Sequence, residues 1–247
     1  MAYADYLSAV LASGPNVFWK CDEASGLLQD SSGNARHATT CTGLTYQDTG
    51  PLVGSFAVTA DAVGDIAVRT GVAGMDAVDN MAIEAWMKFA AGSGTAASPF
   101  GVDCNTGAPF GGWRLRTNTT LPELLLGQIG LGGLNATSDA NVSNGTWYHV
   151  VLCREAGTWK MYINGILQAI TDTDVPGSPT VNGVFMFQLP SSPSTANTQM
   201  FGSMSLVSYF QTALTASDVT AHYNAALTSG GIAAQGGPSR AYKYYKR

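Results

Sequence analysis

The sequence predicts an all-β fold, an antiparallel β-sandwich with a short helix before the first strand and another after the last. Three observations carry this. Apolar residues alternate with others over short runs that recur along the chain, broken by Gly, Asn, Asp and Ser clusters. An Asn164-Gly165 pair joins two such runs, and Asn-Gly favours the positive φ angles of a two-residue hairpin turn. Charged residues are only 12% of the chain against 29 glycines, and no βα alternation is visible.

Tyr3, Tyr6, Leu7, Val10 and Leu11 recur at helical spacing, which predicts a helix over 3–12, ended by Gly14-Pro15-Asn16. Residues 17–21 read as a strand and 30–34 as a loop. Phe56 with Val58, and Ile66 with Val68, mark two short strands. Met81, Ile83, Ala85, Met87 and Phe89 share one face of a strand over 81–89, leaving Glu84, Trp86 and Lys88 on a face expected to meet solvent. Strands follow over 112–117 and 123–129, then a Gly-, Asn- and Ser-rich loop over 131–145. Residues 147–154 form the next strand, and 158–163 with 166–170 form the Asn-Gly hairpin. Residues 184–189 and 199–209 complete the β count. Thr215 and Asp218 fit a capping box, opening a helix that carries Val219, His222, Tyr223 and Leu227 on one face.

At 247 residues the chain fits one large β domain, assigned to 1–228. Residues 229–247 read as a Gly-rich linker and a basic, Tyr-rich tail. A net charge of −5 gives no electrostatic reason to expect nucleic acid, and no apolar run is long enough to span a bilayer. Asp5 stands where a signal peptide carries positive charge, so the expectation is synthesis in a cytoplasm without the usual export signal. Cys21, Cys41, Cys104 and Cys153 form no Cys-x-x-Cys pair, and the histidines His37, His149 and His222 are dispersed, which argues against zinc. Buried free thiols are expected. Cys21–Cys41 is the pairing to consider in an oxidising compartment.

Three stretches, in order, resemble the laminin-G-like, concanavalin-A-like jelly-roll superfamily. The first is Asn16 to Gly26 with Trp19 inside it, followed by Asp30-Ser31-Ser32-Gly33-Asn34. The second is Trp147-Tyr148-His149-Val150 with Tyr162-Ile163-Asn164-Gly165. The third is Phe201-Gly202 to Tyr209, then Ala213-Leu214-Thr215 and the helix to Tyr223. The resemblance implies a jelly roll of two packed sheets, in which His149 is a structural strand residue. One departure stands out: Gly202-Ser203-Met204-Ser205-Leu206 lacks the acidic residue that often follows the family's closing-strand glycine.

The resemblance also brings glycoside hydrolases into question. Retaining hydrolysis needs two carboxyl groups about 5–5.5 Å apart. Strand 81–89 offers Glu84 alone, and nothing pairs Asp103 with Glu123. No Gly-x-Ser-x-Gly elbow occurs, and His222 on its capped helix reads as a packed or surface residue. The chain is therefore expected not to be an enzyme. No cofactor is expected; calcium is the one candidate, through Asp30, Asp61, Asp65 and Asp103, against the simpler reading of Asp as a turn residue. A sugar site would draw on Trp113, Arg116 and Asn118, although period 2 equally places Trp113 with Leu115 in the core. In the tail, Arg240, Tyr242, Lys243, Tyr244, Tyr245, Lys246 and Arg247 combine residue types favoured at interfaces and are assigned to docking on a partner.

Jelly rolls of this kind recur among bacteriophage minor tail proteins, fibres and capsid decoration proteins. The resemblance thus implies a virion structural protein, assembled in the host cytoplasm and multimeric within the particle. Its expected partners are other virion proteins and host-surface carbohydrate. The alternatives are a free carbohydrate-binding or adhesion module and, less favoured, a glycoside hydrolase.

Overall fold

The computed structural model describes residues 2–71, 80–94, 96–104, 111–117, 123–129, 133–169, 183–188 and 198–227. In chain order these form α1 (Ala2–Ala12), β1 (Val17–Trp19), β2 (Thr40–Thr42), β3 (Thr45–Thr49), β4 (Phe56–Ala60) and β5 (Ile66–Thr70). Then come β6 (Met81–Phe89), β7 (Phe100–Cys104), β8 (Gly111–Thr117), β9 (Glu123–Ile129) and β10 (Gly133–Val142). The remainder are β11 (Trp147–Glu155), β12 (Thr158–Ile163), β13 (Ile166–Leu167), β14 (Gly183–Met186), β15 (Gly202–Phe210) and α2 (Ala216–Leu227).

The strands make two antiparallel sheets. Sheet A runs β13-β12-β11-β6-β15-β4-β3, with β1 also paired to β15; sheet B runs β10-β9-β8-β7-β14-β5-β2. The fold is the antiparallel jelly-roll sandwich that the alternating pattern predicts. Its inner core is built wholly from strands and loops: Trp19, Ile83, Ala85, Met87, Val150, Leu152 and Tyr209 face Phe100, Val102, Leu115, Val184 and Met186. Alternation sets which side chains point inward.

The outer face of sheet A is not open to solvent. Tyr6 and Val10 of α1 and Val219 and Ala226 of α2 pack on Phe18, Ala82, Trp86, Val151, Cys153 and Phe210 to form a second core. The described residues therefore form three layers: sheet B, sheet A and a helix pair. This corrects the expectation of a solvent-facing side on β6, where Met81 to Met87 are all buried. Alternation shows which residues share a face, but not that something covers the second face.

Other elements differ as well. Residues 133–142, expected within a loop, form β10 at the edge of sheet B, paired to β9 with two register shifts. A strand is held by backbone hydrogen bonds, so a polar sequence at a sheet edge can still pair. The strands β2, β3 and β7 lacked a legible pattern, being short or polar. After the Asn-Gly turn, pairing reaches only Leu167, and Ile166 and Leu167 are exposed. The turn itself is as expected, with φ of 51° at Asn164 and 74° at Gly165. Cys21, Cys41 and Cys153 are free thiols, the first and last buried. Among the described residues no helix is long and apolar enough to cross a membrane.

Strand β15 switches faces through a bulge. Its register against β6 shifts between Ser205 and Ser208, where Leu206 takes a φ of 55°. Met204 and Val207 consequently face the inner core, while Leu206 joins the helix-side core. At the strand's start, Gly202 has a φ of +131°, and a Cβ there would lie 2.0 Å from the Lys88 carbonyl oxygen on β6. Gly202→Ala should therefore destabilise the protein by well over ~1 kcal/mol, the usual scale for alanine at a strained positive-φ glycine, since backbone clash adds to strain. A urea denaturation series comparing it with Gly54→Ala, whose Cβ meets nothing within 4 Å, checks this.

Candidate functional site

Among the described residues, the strongest concentration of polar chemistry lies between sheet A and the helices. Glu84 sits mid-strand on β6, paired with Val151 of β11 on one side and Ser208 of β15 on the other. Its side chain is fully buried. Three elements converge on it. Tyr6 of α1 donates its hydroxyl to Oε1 at 2.7 Å. His149 Nε2 of β11 meets the same oxygen at 2.7 Å, and His222 Nδ1 of α2 meets Oε2 at 2.7 Å. Ser13, in the turn after α1, contacts His222 Nε2 at 3.0 Å.

Local sequence explains how each group arrives. Tyr6 and Val10 lie four residues apart on one face of α1, so the hydroxyl comes in beside the apolar contact. The capping box fixes where α2 begins: Thr215 N donates to Asp218 Oδ2 at 2.9 Å, and Asp218 N to Thr215 Oγ1 at 3.2 Å. One turn on, His222 and Val219 face the sheet. The hairpin tip buttresses α2, because a Cβ on Gly165 would lie 2.8 Å from the Tyr223 ring. Tyr223 stacks on His149 with centroids 5.7 Å apart and 28° between planes.

An ionised carboxylate only accepts, so both imidazoles donate to Glu84. Desolvation works against ionising Glu84, but the His222 and His149 rings outweigh it and hold its pKa far below the usual carboxylate range. Burial disfavours charge on His222, yet Glu84 and then Asp218 raise its pKa. Tyr6 is pushed well up, by burial first and the adjacent carboxylate second. Glu84 and His222 form an ion pair whenever the imidazole carries its second proton, which the raised pKa favours, and two further donors brace the carboxylate. His149 Nδ1 has no partner.

This site joins residues that the sequence kept apart. Glu84 was expected on an exposed strand face and is instead sealed. His149 and His222 are both packed residues, and they share one acceptor. No spacing rule brings together positions 78, 65 and 138 residues apart in sequence.

The sugar-site residues are not assembled in this way. Trp113 is only 3% exposed and packs in the inner core against Trp159, with centroids 5.6 Å apart. The core alternative is thus the one observed. A ring buried there offers no face to a sugar, so Trp113 leaves the trio. Arg116 alternates to the other side of β8 and donates from Nε to the Thr117 carbonyl, while Asn118 lies outside the described residues. The tail residues Arg240, Tyr242, Lys243, Tyr244, Tyr245, Lys246 and Arg247 also lie outside them.

Two of the calcium candidates are engaged with backbone. The Asp30 carboxylate accepts from Phe18 N, Ser32 N and Arg36 N at 2.8–2.9 Å, stapling the loop to β1. Burial opposes its ionisation, but these N–H groups prevail and lower its pKa. Asp65 Oδ2 caps Asp61 N and Ala62 N at 2.9 and 2.8 Å. Among the described residues no three His, Cys, Asp or Glu side chains cluster as a metal would require.

Two antiparallel sheets packed face to face, one of them covered by a helix pair, define the class as a jelly-roll β-sandwich. The sequence model of the concanavalin A-like lectin/glucanases superfamily matches residues 63–220, and the chain belongs to that family. No curated protein matches it in sequence. Among solved structures, Trypanosoma rangeli sialidase in complex with sialic acid superposes with a TM-score of 0.64 at 15% identity, covering 84% of this chain and 32% of the sialidase. The binding domain of Paraclostridial Mosquitocidal Protein 1 gives 0.64 at 15%, covering 87% of this chain and 52% of that domain. The chain thus spans about a third and about half of these proteins. At such identities the likeness concerns the fold.

Removing one partner of a buried ion pair typically costs about 3–5 kcal/mol, because the other charge is left uncompensated. Glu84→Ala should fall in that range by urea denaturation at pH 6. The pH profile has two limbs. His222, with its raised pKa, stabilises the fold below its ordinary value near ~6.5 and loses that contribution as pH rises through the folded value. Glu84, with its lowered pKa, stabilises above ~4.5 and loses its contribution as pH falls toward the folded value. Stability measured by urea midpoint should therefore peak between these limits. His222→Gln should flatten the alkaline limb only.

Proposed function

We propose that the protein is a non-catalytic binding and structural protein of a bacteriophage virion, a minor tail, fibre or capsid decoration protein that contacts host-surface glycan. The observation that carries the non-catalytic part is the state of Glu84. The carboxylate that a hydrolase reading would have used is fully buried, with both oxygens engaged by Tyr6, His149 and His222. A general acid or nucleophile must reach substrate, and this one reaches none.

Glycan contact is supported by family membership and by a similar sandwich in a sialidase solved with sialic acid. On this reading the helix-covered side of sheet A is closed to ligand. Recognition then falls to the rest of the surface. The virion role is supported by the recurrence of this fold in phage particles and by the basic, Tyr-rich sequence 240–247 as a docking peptide.

The test uses the purified full chain in three assays: a bacterial-glycan array, pull-down of capsid and tail components from disrupted particles, and reducing-sugar release from bacterial polysaccharides. Binding to virion components, reduced by deletion of 229–247, with no sugar release, is expected. Array binding without any virion partner would shift the assignment to a free carbohydrate-binding module. Sugar release abolished by Glu84→Gln would overturn the non-catalytic reading.

A further inference from the structure

The network around Glu84 has a consequence separate from ligand binding. The inner core contains no residue of α1 or α2, so the sandwich is closed without them. The helix layer is a separate unit: an apolar contact on the outer face of sheet A, pinned by one buried polar contact from each helix, Tyr6 and His222, both ending on the Glu84 carboxylate. Such a unit can open locally at less cost than the whole fold. We propose that Glu84 and His222 form a proton-operated latch, whose release by loss of the His222 proton lets the α1–α2 pair lift from sheet A while the two-sheet sandwich stays folded.

The groups facing the pair support this direction. Tyr6 from α1 donates its hydroxyl to Glu84, His149 of β11 meets the same oxygen, and Ser13 touches the far nitrogen of His222. Asp218, on α2 itself, adds negative charge near His222. Tyr162 of β12 shares the covered face, its hydroxyl without a partner, as is the Ser208 hydroxyl on β15. The nearby cation on β6, Lys88, lies over the Trp147 ring at 5.0 Å. His222 is thus the proton-dependent cation that the helix layer brings to Glu84. Without its charge, the buried carboxylate loses its ion-pair partner on α2, and its desolvation is less fully offset. Lifting α2 then gives Glu84 access to water and exposes Trp86, Val151, Cys153 and Phe210.

Cys153 is a built-in reporter. It is buried beneath the segment entering α2, its Sγ 3.7 Å from the Leu214 carbonyl. The wild-type chain is treated with iodoacetamide from pH 6 to 10, and modification of the Cys153 peptide is followed by mass spectrometry. Each rate is divided by that of the urea-unfolded chain at the same pH, which removes the thiol's own ionisation. The normalised rate should rise at least tenfold with pH, while the far-UV circular dichroism of the sandwich holds. His222→Gln, which keeps a neutral donor, should give a flat profile. Ser13→Ala, which removes a hydrogen-bond partner of the protonated ring, should move the wild-type midpoint to lower pH. A flat wild-type profile, an unchanged profile in His222→Gln, or Cys153 exposure only alongside loss of the far-UV signal would overturn the latch.

Discussion

A carboxylate with no access to water must be matched by donors, and in this protein the match organises a whole layer. Glu84 lies near the middle of sheet A, where burial alone would keep it from ionising. It stays charged because α1, β11 and α2 each deliver a donor at 2.7 Å. The dependence is mutual: the helices need the carboxylate to satisfy Tyr6 and His222, and the carboxylate needs the helices to exclude water and supply charge. Hydrophobic contact is non-directional. It presses the helices onto the sheet, and the hydrogen bonds select one position for them.

The same economy of partners recurs at the other acidic residues. Asp30 ties the loop after β1 to that strand, and Asp65 closes the turn before β5, each through backbone N–H groups. In a chain with few charges, these carboxylates serve as local organisers. That is why a sequence search for paired acids or metal ligands finds candidates in loops whose oxygens are engaged in holding those loops.

Legibility varied with the range of the interaction. The N-terminal helix, the strand at 81–89, the Asn164-Gly165 turn and the Thr215–Asp218 capping box were readable, because each is governed by residues within a few positions of one another. Strand β10 was not, because an edge strand needs no apolar alternation to pair through its backbone. Trp113 was ambiguous for a related reason: alternation groups it with Leu115 but does not say which face is the core.

By itself, the sequence determined an antiparallel sandwich of the lectin type with a helix at either end, since period, turn chemistry and capping are local properties. Only the tertiary structure decided that those two helices pack together over sheet A, and that Tyr6, Glu84, His149 and His222 meet beneath them. The physical reason is that this meeting depends on strand order and register, with β6 between β11 and β15, and on how two distant helices share one face. No short window of sequence encodes that arrangement.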